Sequence, residues 1–221
     1  PCQLSDLRNL ADEYGLPLIE DAAEALGSFY DDKHIDHWED ITCLSFNGNK
    51  VITTGGGGAI LTPHKNLAER AKHLTTTAKV PHQWEYKHDE VGYNFRLPNI
   101  NAALGCAQLE YLPRLLEKKQ KLAQHYARCF EEITDVRFVS PSSRTNSNYW
   151  LNSIILKSES REDRDHLLKI TNASGFQTRP CWNILHSLPM YKASPRSDLA
   201  QAETIENSLI NIPSSPTLWR D

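Results

Sequence analysis

Residues 4–21 read LSDLRNLADEYGLPLIED, and this stretch decides the fold class. Leu4, Leu7, Leu10, Ala11 and Tyr14 fall on one side of a 3.6-residue period, which predicts an amphipathic helix ended by Gly15. Pro17-Leu18-Ile19 then makes a short apolar strand that runs into the acidic pair Glu20-Asp21. Helix, glycine, buried strand and acidic strand end form the rhythm of an α/β unit with a parallel sheet. An acidic group at the carboxyl end of such a strand stands where open α/β sheets place their ligand crevice. A helix cap or a solvated turn would use it equally well.

Downstream, Ile41–Phe46 reads as the next strand, and Gly58–Thr62 as another after the glycines 55–58. A short helix is expected over Asn66–Leu74, and the polar, aromatic run His82–Asn94 reads as a loop. After Pro98 a longer helix should bury Ile100, Ala103, Leu104, Ala107, Leu109 and Leu112. A second, Lys- and Glu-rich helix is expected over Pro113–Ile133. Beyond it the pattern changes, with strands at Val136–Val139, Tyr149–Leu156 and Phe176–Pro180 and helices at Arg161–Ala173 and Asp198–Asn207. Strands and helices without strict βαβ alternation suggest a small α+β domain, with its boundary near 113–135.

The composition excludes several functions. With 39% hydrophobic and 24% charged residues, the 221-residue chain is an ordinary globular one. A net charge of -4 offers nucleic acid no basic field. No apolar run approaches the ~18 residues that span a bilayer, so no membrane partner is expected. Cys2, Cys43, Cys106, Cys129 and Cys181 are odd in number and lack a CxxC pair, and the nine histidines lack ligand spacing. Neither disulfides nor a metal are expected, and the cytoplasm is the default location. The chain opens on Pro1 without an initiator methionine, which reads as the interior of a longer protein.

A lysine directly after a buried strand, in Ser45-Phe46-Asn47-Gly48-Asn49-Lys50, can project into the same crevice as Asp21. There its amine can serve as nucleophile and proton carrier, although a lone lysine is more often a solvated charge. Ser45 can donate to a phosphate. Gly55 to Gly58 matches neither GxGxxG nor a Walker loop and serves a sharp turn better than a nucleotide cradle.

Four segments in order, Glu20 to Ser28, Ser45 to Lys50, Thr53 to Gly58 and Gly92 to Leu97, resemble the signatures of the DegT/DnrJ/EryC1/StrS family. The resemblance covers nearly the whole chain. It implies a pyridoxal-phosphate (PLP)-dependent sugar aminotransferase of the type I aspartate aminotransferase fold. By that likeness 1–112 is the C-terminal part of a large, mostly parallel-sheet cofactor domain, 113–135 a connecting helix and 136–221 a small α+β domain. Lys50 becomes the lysine that bonds the cofactor's aldehyde, and Asp21 the partner of its ring nitrogen. Glu24 falls near the ring hydroxyl and Ser45 at the phosphate. Asn94, with Arg96 as the nearby alternative, lies in a loop reaching a neighbouring subunit's phosphate in a homodimer. Family dehydratases carry histidine in place of the lysine, so Lys50 speaks against them.

Asn148 to Asn152, Thr178 to Trp182, His186 and Leu188 to Tyr191 resemble the branch that aminates a UDP-linked 4-keto-6-deoxy N-acetylhexosamine, as in legionaminic acid and bacillosamine biosynthesis. Trp182 and His186 are the candidates there for the sugar nucleotide, with glutamate as the implied amino donor. A phosphate-binding turn and a ring-stacking aromatic would precede Pro1 in the family. Two expectations follow. The 221 residues by themselves should lack measurable transaminase activity, and the alternative to an enzyme is an inactive fragment or relic.

Overall fold

The computed structural model describes residues 1–219. In chain order its regular elements are α1 (Leu4–Glu13), β1 (Ile19–Asp21), β2 (Phe29–Tyr30), β3 (Lys33–His34), β4 (Ile41–Ser45), β5 (Gly58–Leu61), α2 (Lys65–Thr75), β6 (Lys79–Val80), β7 (Lys87–His88) and α3 (Asn99–Glu131). There follow β8 (Val136–Phe138), β9 (Thr145–Asn146), β10 (Asn152–Leu156), α4 (Arg161–Ala173), β11 (Arg179–Pro180), α5 (Ala200–Ser208) and β12 (Leu209–Ile212). Among the described residues no helix is long and apolar enough to cross a membrane. Contacts divide the chain into two compact units, one of Pro1–Leu116 with Ser142–Trp150 and one of Glu117–Pro141 with Leu151–Asp221.

In the first unit α1 ends as its sequence requires. Gly15 takes φ +62, its N–H bonds Asp12 O and that of Leu16 bonds Ala11 O at 2.8 Å, closing the last turn in a Schellman motif. Only Leu4 and Ala11 of the expected apolar face are buried, while Leu7, Leu10 and Tyr14 are exposed. β1 pairs parallel with β4, Asp21 opposite Cys43. β5 returns antiparallel on the other side of β4, with Gly58 opposite Ser45. Its connection from β4 contains no crossover helix, and an antiparallel return is what so short a link permits. A Cβ on Gly58 would overlap the Leu44 carbonyl oxygen, so this register needs glycine. The core gathers Leu4, Ala22, Tyr30, Ile35 and Leu44.

Asp40 ties three elements. Its carboxylate accepts from Leu18 N at 2.8 Å and Arg8 Nη1 at 3.0 Å and meets His64 Nε2 at 2.9 Å. The Leu18 N–H, followed by Arg8, holds its pKa down at about 2. The aromatic loop after β7 is tied to α2 by the Arg70–Glu90 ion pair and by His73 Nε2 with Asp89 at 2.7 Å.

The structure corrects three readings in this region. The two helices expected around Pro113 are one, α3, with Pro113 inside it. Proline there forfeits a backbone bond at a cost of about 3 kcal/mol, and side chains before and after it still pack; Leu116, for one, lies against Gly27. The buried face of the opening turns is also not the apolar one. Asn101 Nδ2 donates to Thr54 O at 2.6 Å, Gly105 is buried against Thr54, and Gln108 Oε1 accepts from Thr53 N at 3.4 Å. Positions 101, 105 and 108 share a helical face, which leaves Ile100 at 81% exposure and Leu104 and Leu109 exposed. Finally, residues 142–150, read with the C-terminal region, return to the first unit. β9 pairs with β2, and Arg144 Nε donates to Asp31 at 2.8 Å.

The second unit is an antiparallel sheet in the order β11-β12-β10-β8. Ile154, Leu156, Ile210 and Ile212 alternate inward and meet Leu167 and Leu168 of α4 and Tyr126 and Phe130 of α3. Ser160 caps α4 by accepting from Asp163 N at 3.3 Å. The strand expected from Tyr149 begins at Asn152 instead, because Tyr149 sits at φ +46 and breaks it. The central strand β12 was missed, since its apolar run follows α5 without a loop signal.

Candidate active site

Asp21 and Ser45 end neighbouring parallel strands, so both stand at the carboxyl edge of the sheet. The register pairs Asp21 with Cys43, and the pleat puts residue 45 on the same face as residue 43. Asp21 and Ser45 therefore share a face as well as an edge. Asp21 is exposed and caps the following turn, its Oδ1 accepting from Ala23 N at 3.1 Å. Ser45 Oγ accepts from Asn47 N at 3.3 Å, which keeps its own proton available to donate.

The turn capped by Asp21 carries Glu24, and Glu24 meets the lysine. Lys50 Nζ donates to Glu24 Oε1, with the lysine side chain only 12% exposed. The ammonium also lies over the Trp150 ring, 4.8 Å from its centroid. Trp150 Nε1 in turn donates to Asn49 O at 2.7 Å. A mostly buried ammonium with a carboxylate on one side and an aromatic face on the other is held in one place. Lys50 is no loose surface charge.

The remaining candidates have other partners. Asn94 is exposed; its Oδ1 accepts from Arg96 Nη1 at 3.1 Å, and Arg96 Nη2 donates to Thr76 O at 2.9 Å. An isolated bridge joins Asn94 to Thr76, so the loop is pinned to the end of α2. In the second unit Trp182 is 68% exposed after β11, whereas His186 is mostly buried and meets Glu203 Oε1 at 3.0 Å. A cleft of about 850 Å³ lies on the first unit beside the glycine turn, lined by Cys43, Ile60, Ala71, Lys72, Phe95 and Arg96 among others. None of Lys50, Asp21, Glu24, Ser45 or Asn94 lines it.

Over residues 1–221 the chain matches the DegT/DnrJ/EryC1/StrS aminotransferase family. It belongs to that family. Among family relatives, the GDP-perosamine synthase of Vibrio cholerae is 34% identical over 221 residues, which are 100% of this chain and 60% of the relative. The UDP-4-amino-4,6-dideoxy-N-acetyl-beta-L-altrosamine transaminase of Campylobacter jejuni subsp. jejuni serotype O:23/36 is 30% identical over 191 residues, 86% of this chain and 51% of that one. Among solved structures, Helicobacter pylori PseC, an aminotransferase involved in the biosynthesis of pseudoaminic acid, superposes with a TM-score of 0.94 at 24% identity. That match covers 99% of this chain and 60% of PseC. The α/β fold read from the motifs is thus part of the fold of a solved aminotransferase, and the chain spans about 60% of the length of the first of these relatives.

The sequence reading missed Trp150 and Asn148 as neighbours of the lysine. Both stand in the Asn148 to Asn152 segment, read only for its likeness to one substrate branch. A left-handed, non-glycine turn ahead of a strand leaves no mark in hydrophobic periodicity.

Proposed function

We infer that this chain carries the reactive amine and the cofactor-holding side chains of a PLP-dependent transaminase acting on a nucleotide-linked 4-keto-6-deoxy sugar. The observation that carries this reading is the Lys50 ammonium, 12% exposed and bonded to Glu24, on a loop that leaves the same sheet edge as Asp21 and Ser45. Amine, carboxylates and hydroxyl are the donor set that PLP requires, and Asp21 and Ser45 end strands at the sheet edge where α/β folds bind ligands.

Lys50 would bond the cofactor, Asp21 face its ring nitrogen, Glu24 its ring hydroxyl, and Ser45 its phosphate. The cofactor, when bound, supplies an aldehyde and an electron-withdrawing ring. Lys50 Nζ then carries a proton to and from the substrate carbon, and the Asp21 carboxylate holds a proton on the ring nitrogen. Glu24 faces two demands, since a carboxylate beside a phenolate repels it, and sharing a proton there removes the conflict.

Glutamate is the proposed amino donor, and a UDP-linked N-acetylhexosamine the sugar read from Asn148 to Asn152 and from the segment holding Trp182 and His186. The relatives' names include both GDP- and UDP-sugar products, so the nucleotide is a matter for competition binding with UDP and GDP. A homodimer completed through the Asn94 loop, in the cytoplasm, fits the family likeness. PLP added to the protein should raise an absorption band at roughly 400–430 nm. Borohydride should then leave the cofactor on the Lys50 peptide, and Lys50→Ala should abolish the band. A natively folded chain without a Lys50-dependent band would leave the non-catalytic relic as the better reading.

A further inference from the structure

Trp150 has no assigned role at the lysine in the reading above, yet it touches the one amine on which that reading depends. Its ring face lies under Lys50 Nζ, and its indole N–H is spent on Asn49 O, one residue before the lysine. The ring is thus locked to the loop that presents the amine. Behind it stands Asn148, 3% exposed. Asn148 Oδ1 accepts from Trp150 N at 2.8 Å. Its Nδ2 donates to Glu24 O at 2.7 Å and to Leu26 O at 2.9 Å, and its own N–H bonds Ser28 Oγ at 3.0 Å. The link between them, Tyr149, sits at φ +46. A non-glycine residue in that region is strained, and such strain persists only where the surroundings over-determine it.

One buried amide therefore sets two things at once, the turn that bears Glu24 and the backbone that bears Trp150. These are the two groups that hold Lys50 Nζ. We propose that Trp150, fixed by Asn148, is a positioning residue for the Lys50 amine, its ring face holding the ammonium against the Glu24 carboxylate. The inference rests on Lys50 being the reactive amine, but its test needs no cofactor. A cation over an aromatic face is attracted by the ring's negative quadrupole, and the attraction grows when water is excluded. An aliphatic side chain covers part of the amine without attracting it.

The test is pulsed acetylation of the 221-residue protein with acetic anhydride, each lysine's rate being read by peptide mass spectrometry. Trp150→Leu should raise Lys50 labelling by about fivefold and leave the other lysines of the first unit unchanged. Trp150→Phe keeps a π face and should stay within about twofold of wild type. Wild-type labelling of Lys50 in a Trp150→Leu protein with a native circular dichroism spectrum would overturn the proposal, as would an equal rise in both variants. If Trp150→Leu does not fold, biosynthetic incorporation of mono- and polyfluorinated tryptophan replaces it. Fluorination drains the ring face without changing its shape, so Lys50 labelling should rise stepwise with it. No change across the fluorinated series would overturn the proposal too. Because PLP is absent throughout, failure here leaves the cofactor test standing, and failure there leaves this one interpretable.

Discussion

Asn148 donates its side-chain amide to the main-chain carbonyl of Glu24 at 2.7 Å, across 124 positions of sequence. The same amide nitrogen serves Leu26 O, so a single buried side chain satisfies two carbonyls of the turn that follows Asp21. Asn148→Ala should orphan both and destabilise the first unit by about 2 to 3 kcal/mol. Asn148→Asp should cost more, because a carboxylate would face those carbonyl oxygens. Urea unfolding followed by circular dichroism checks the order wild type, alanine, aspartate.

Glu20 and Glu39 form a carboxyl pair in the first unit. Glu39 is 5% exposed, and Glu20 Oε2 and both Glu39 oxygens lack any protein donor. A proton shared between its members joins the pair. Burial, reinforced by the Glu39 charge, pushes Glu20 up to about 7, and burial raises Glu39 as well. The unfolded chain releases the Glu20 proton near its ordinary value of 4.5, while the folded chain keeps it to about 7. Stability is therefore fullest below pH 4.5 as far as this group is concerned, and falls as pH rises to 7. The fall should be about 2 kcal/mol, discounted for partial exposure. Urea midpoints at pH 5 and 7.5 should differ in wild type. In Glu39→Gln the difference should shrink, since an amide can donate to an ionised Glu20.

Lys119 gives the opposite slope at alkaline pH. It is 3% exposed and donates to Ser214 O at 2.7 Å, and burial lowers its pKa from 10.5 to about 8. Below pH 8 both states carry the charge, and the folded state bears its desolvation. Between 8 and 10.5 only the unfolded state holds the proton, so this group adds stability as pH rises, by about 2 to 3 kcal/mol. Lys119→Met should remove that increment from a denaturation series run across the interval.

Gly58→Ala places a Cβ on the Leu44 carbonyl oxygen at the β4–β5 register. Main chain on both sides leaves little room to yield, so the variant should lose about 2 kcal/mol or more. Amides of Leu44 and Ala59 should then exchange faster than those of β10 in the second unit, as measured by hydrogen exchange. Equal exchange in both sheets would contradict the clash.

The elements with strong local signals were legible in advance. α1 stops just before Gly15, α4 spans the expected residues, β4 ends one residue short of the expected Phe46, and β1 is shifted from Pro17–Ile19 to Ile19–Asp21. What failed was periodicity over α3. There the inner face is Asn101, Gly105 and Gln108, chosen by hydrogen bonds to Thr53 and Thr54, whereas an apolar count selects Ile100 and Leu104. Two-residue strands such as β2 and β9 were equally invisible, being defined by their pairing alone.

Motif order and the family likeness were enough to single out Lys50, Asp21, Glu24 and Ser45 as candidates, because short motifs are local in sequence. Which groups hold the lysine was decided by the tertiary structure. Asn148 and Trp150 approach it from a hundred residues away, and no one-dimensional pattern encodes which buried amide finds which carbonyl. That choice belongs to the three-dimensional requirement that every buried polar group be satisfied.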